Sequence, residues 1–120
     1  MSNDQTRADI VALASTVEGV TAYAKRPATL RSGDAWVRWR GAERADGFLF
    51  YNTWALIVLL SEDEQTADEQ ADRLAYELAA VLEDGTDDTD GVLFVTGMQP
   101  VAVASTAGDF KAIEVQGRSE

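Results

Sequence analysis

The stretch Phe48–Leu60, FLFYNTWALIVLL, constrains the fold more than any other part of the chain. Its second half, Ala55 to Leu60, is apolar at every position, so a strand formed there needs both faces shielded from water, as a central strand does. Behind it, from about Thr66 to Glu83, Ala67, Ala71, Leu74, Ala75, Leu78 and Leu82 recur at spacings of three and four and predict an amphipathic helix lying on the sheet. Thr66 and Glu69 stand at the capping-box spacing, and Asp68, Glu69 and Asp72 sit where the helix dipole favours negative charge. A strand, a helix and a further strand in succession suggest a mixed sheet.

The remaining elements follow from shorter signals. Thr6 and Asp9 resemble a capping box and open a stripe at Ile10, Leu13, Ala14 and Val17, with Gly19 as a stop. Val20 to Ala24 reads as a brief strand, followed by a basic loop from Lys25 to Asp34 that contains Lys25, Arg26 and Arg31. Alternation over Ala35 to Arg40 puts Val37 and Trp39 on one face and Trp36, Arg38 and Arg40 on the other. GAERADG, Gly41 to Gly47, suits a hairpin loop into the central strand. Val92–Thr96, Gln99–Ala104 and Phe110–Gln116 supply two or three more strands, with TGMQP as a turn or bulge. The expected fold is α+β: a mixed, mostly antiparallel sheet of about five strands, two helices on one face, in the order α-β-β-β-α-β-β. It forms one domain over residues 1–120, with flexible ends at 1–5 and 117–120.

One helical layer covers one face of such a sheet, which leaves Trp36, Phe48, Phe50, Tyr51 and Trp54 as surplus apolar surface. The expectation is that identical subunits shield the second face by closed association. A Trp/Arg strand face suits either cation–π packing within the fold or contact with a partner. The candidate interface residues are therefore Lys25, Arg26, Arg31, Trp36, Arg38, Arg40, Glu43 and Arg44, the last two in a hairpin that can project beyond the domain body.

Chemistry is poorly represented. The chain has no histidine and no cysteine, so it lacks the commonest general base and the usual transition-metal ligands. Neither a glycine-rich phosphate loop nor a G-x-S-x-G elbow is present. EDGTDDTDG, Glu83 to Gly91, looks like a calcium loop, but in EF-hand register the first ligand falls on Thr86 and the bidentate glutamate on Gly97. The expectation is no catalytic residue, no cofactor and no metal. No run approaches the roughly 18 apolar residues of a membrane helix, and the first residues show no signal-peptide pattern, so no membrane association is expected. The net charge is −11, with residues 1–60 holding seven Lys/Arg against six Asp/Glu and residues 61–120 three against fifteen. Such a chain does not neutralise phosphates, and ordinary nucleic-acid binding is excluded.

The phrases VEGVTAY, KRPAT, GDAWVRW, FYNTWALIVLL, TADEQADRLAYELAAVL and PVAVASTAGDFKAIEV occur in an order that resembles the tail terminator (tail completion, or minor tail) proteins of long-tailed phages, especially those infecting actinobacteria. The resemblance spans roughly residues 8–116. It implies an α+β subunit of a hexameric ring in the virion, at the tail–neck junction. Such a ring assembles in the host cytoplasm, caps the tail tube, stops its polymerisation and joins the tail to the head connector, with DNA passing through. The partners implied are further copies of the chain, the tail tube protein and a neck connector protein. A head-completion ring of the same neck, a small ligand-binding α+β domain with a pocket on its open sheet face, and an acidic DNA mimic are the alternatives.

Overall fold

A computed structural model describes residues 2–45, 49–106 and 108–120. The elements run α1 (Asn3–Ala14), β1 (Thr21–Tyr23), β2 (Asp34–Arg44), β3 (Phe50–Leu59), α2 (Glu64–Asp84), β4 (Phe94–Ser105) and β5 (Gly108–Ser119). The five strands form one sheet in the order β1-β2-β3-β5-β4. The α+β class, the five-stranded mostly antiparallel sheet and the order of elements are as expected. The parallel pair, however, is β1 with β2; β3 and β4, joined by α2, are separated by β5, which pairs antiparallel with both.

Both helices begin earlier than their sequence signals. Ser2 caps α1, its hydroxyl accepting from Gln5 N, while Thr6 lies within the helix and is buried. Asp63 caps α2 and accepts from the backbone and hydroxyl of Thr66 at 2.9 and 2.7 Å, so Thr66 is the third helical residue rather than the cap. The stripe Ala67, Leu74, Leu78 and Leu82 then packs with Ile10, Leu13 and Ala14 of α1 on one sheet face, against Val37, Trp54, Leu56, Val58, Ile113 and Val115. Trp54 is 1% exposed, and its Nε1 donates to Ser119 Oγ at 2.8 Å. That bond anchors a residue expected in a flexible tail; β5 pairs with β3 through Ser119.

The second face is closed in part by the chain itself. The connection from β1 to β2 arches over it: Leu30 packs on a cluster of Trp36, Ile57, Leu59, Val103 and Ala112, and Gly33 N donates to Leu59 O. Arg26 reaches the far strand, donating to Ala104 O at 2.7 Å, and its guanidinium lies 5.5 Å from the centroid of the Trp36 ring. Trp36 and Ile57 are each only 4% exposed in the single chain. The twice-buried central strand therefore needs no neighbouring subunit, and the expectation that it does is corrected: Leu30 and Arg26 of the irregular connection, with Val101 and Phe110 of the flanking strands, cover it.

Two further departures have local causes. Pairing of β2 with β3 continues through Arg44↔Phe50, past the expected start of the hairpin loop; Gly41 (φ 123°) absorbs a bulge in which Arg40 is the extra residue. The hairpin tip, residues 46–48, with Phe48 among the expected surplus aromatics, lies outside the described residues. Strand β4 is continuous where two strands were admissible, because TGMQP forms a bulge between Val95 and Gly97. Pro100 is tolerated there because β4 is a sheet edge.

Candidate functional site

Two surfaces gather the expected interface residues. The first is a groove of about 590 Å³ on the second sheet face, lined by Lys25 and Arg26 from the arch, Trp36 and Arg38 from β2, Val101 to Ala104 from β4, and Glu114 from β5. Strand alternation brings Trp36, Arg38, Ile57 and Glu114 to this side, and the arch adds the two basic residues from sequence positions far away. Its floor is apolar and its rim cationic.

Within it the charges differ in role. Glu114 is 5% exposed and is held by Arg40 Nη1 at 3.1 Å and Gln116 Nε2 at 2.5 Å. Arg40 shares the face of Arg38 and Glu114, as strand alternation from Trp36 onward predicts. Arg26 is a clamp on Trp36 and Ala104. Trp36, expected at an interface, is instead core, because the arch buries it. Lys25 and Arg38 are exposed, and among the described residues no carboxylate lies within ion-pair distance of either. Arg31 is exposed on the arch, and its backbone N–H donates to the buried carboxylate of Asp34.

The second surface lies at the hairpin end of the sheet. Glu43 accepts from the Tyr51 hydroxyl at 2.7 Å, and this acceptor raises the Tyr51 pKa above its ordinary value, with smaller contributions from desolvation and the Glu43 charge, opposed by Arg118. Arg44 lies over Phe50 at 4.9 Å, and Arg118 lies over both Phe94 at 4.8 Å and Tyr51 at 5.2 Å. Leu49, Phe50 and Phe94 remain 71%, 56% and 58% exposed, an apolar patch rimmed by guanidinium groups. Phe94 and Arg118 were missed in the sequence because they sit on strands from the opposite end of the chain. Only the register Phe94↔Arg118↔Thr53 brings them to the hairpin.

The helix side is electrically opposite. Residues 62–90 carry twelve Asp/Glu and one Arg, so the whole net charge of −11 resides in α2 and its flanks, and the rest of the chain is neutral overall. The single Arg73 is used locally, donating to Glu77 and to Glu18 O. Among the described residues no group of three acidic side chains is close enough to hold a metal ion. The chain matches no protein-family model and no curated protein.

Proposed function

We propose that this protein is a structural ring subunit of a phage tail–neck junction: copies of the chain close into a hexamer that caps the tail tube, ends its polymerisation and receives the head connector. The observation that carries the reading is the two-sided distribution of charge. All net negative charge lies on the helix side, and exposed cations line the opposite sheet face. A subunit with two unlike, complementary sides associates head to tail, and such contacts form a closed ring when the rotation permits. The order of elements and phrases, which resembles that of tail terminators, supports reading the ring as one of that kind. Leu49, Phe50 and Phe94 offer an apolar patch at the hairpin end of the sheet, suited to contact along the ring axis with a tube or connector protein. An acidic ring passes DNA without gripping its phosphates.

The test is polymerisation of tail tube protein with and without this chain, read by electron microscopy. Tubes should stop growing and carry a ring at one end. Tubes of unchanged length without end density contradict the reading. The groove also favours a second reading, a small anion-binding domain acting as a monomer; saturable binding of a small carboxylate or phosphate ligand by monomeric protein would support it instead.

A further inference from the structure

The subunit leaves opposite charges unmatched on opposite sides of its sheet. Lys25 and Arg38 on the groove rim have no carboxylate partner among the described residues. Ion pairs form elsewhere, at Arg40–Glu114, Arg73–Glu77 and Lys111–Glu64. On the helix side, the end of α2 and the turn after it present Asp84, Asp87, Asp88 and Asp90, all exposed and, among the described residues, none in an ion pair.

That turn has a fixed shape. Gly85 and Asp90 form an isolated bridge, Thr86 N donates to Thr89 O at 2.7 Å, and the N–H groups of Val92 and Leu93 both donate to Leu82 O. Gly85 adopts φ 78°, and a Cβ at Gly91 would collide with Glu83 O, so the backbone admits little variation. Four like charges on one short stretch make no attractive contact with one another and do nothing to stabilise the subunit that carries them. The sheet stands between turn and groove, so they cannot meet within one copy.

We infer that the acidic turn of one subunit docks into the Lys25/Arg38 groove of the next. This rests on the ring reading and names its contact. The groove floor is apolar, with Trp36, Ile57 and Val103 nearly fully buried, so ion pairs above it are less screened than pairs in open water. Each copy carries one turn and one groove, which makes the contact heterologous and self-propagating until the ring closes.

Two charge-reversed variants test it: K25E/R38E in the groove and D87K/D88K in the turn. All four side chains are exposed, so each variant keeps the wild-type circular dichroism and urea midpoint. In sedimentation velocity at low salt, each variant alone should associate roughly tenfold or more weakly than wild type. An equimolar mixture should regain the wild-type ring, because every reversed groove then meets a reversed turn. A variant that still forms rings alone overturns the contact but leaves the ring reading standing. Failure of the mixture to restore the ring also overturns it, since loss without rescue means the charges do not face each other. A wild-type chain that stays monomeric at every concentration and salt removes the ring reading itself, and this contact with it.

Discussion

Trp54 joins several parts of the molecule. It is buried under the helices, bonded through Nε1 to the last strand at Ser119, and covered by the Arg7 guanidinium 5.5 Å from its ring. Arg7 in turn donates to Ala24 O and Val37 O, tying α1 to the edge of the sheet. Trp54→Ala should lower the free energy of unfolding by about 3–5 kcal/mol, measured by urea denaturation; a loss below about 1 kcal/mol would mean the site repacks. Arg38 and Arg40 are alike in the sequence and unlike in the fold. Arg38→Glu should leave stability unchanged. Arg40→Glu should cost about 1–3 kcal/mol, because it leaves the buried Glu114 carboxylate with Gln116 alone and sets a second negative charge beside it. Equal urea midpoints for the two variants would contradict that distinction.

At the scale of elements, the cap of α2 gives a pH signature. The side-chain hydrogen bond from Thr66, followed by that from its backbone, holds the Asp63 carboxyl below its ordinary pKa. A depressed carboxylate stabilises the fold above its unfolded value of about 3.9, and that contribution fades as pH falls through the folded value. Asp63→Asn should therefore lower the urea midpoint at neutral pH, and its deficit against wild type should shrink below pH about 4; a constant deficit would contradict the assignment. The same elements show what the sequence can reveal. β3 and the buried stripe of α2 were legible because their apolar periods report burial directly. The continuity of β4 was not, since Gly97 and Pro100 look like punctuation unless the strand is known to be an edge with a bulge. The arch was least legible of all. Its cover consists of Leu30 and the stacked guanidinium of Arg26, and neither carries an apolar period.

For the molecule as a whole, that arch changes the physical basis of the assembly we propose. With the central strand closed on both faces by its own chain, hidden apolar area no longer compels association. In the proposed ring electrostatic asymmetry takes its place: an acidic helix side, a cationic sheet face, and an aromatic end. Charge of this kind makes assembly sensitive to salt, which an interface built on apolar burial is not. The candidate residues Lys25, Arg38, Glu43 and Arg44 were legible as exposed polar positions. Their partition into a groove and a hairpin patch depended on long-range register and on the bulge at Arg40, which no local pattern encodes. Native mass spectrometry of the wild-type protein over a salt series tests the central claim most directly. The account predicts a closed hexamer at low salt that dissociates toward monomer as ionic strength rises, and a monomer throughout, or a salt-insensitive twofold dimer, would contradict it.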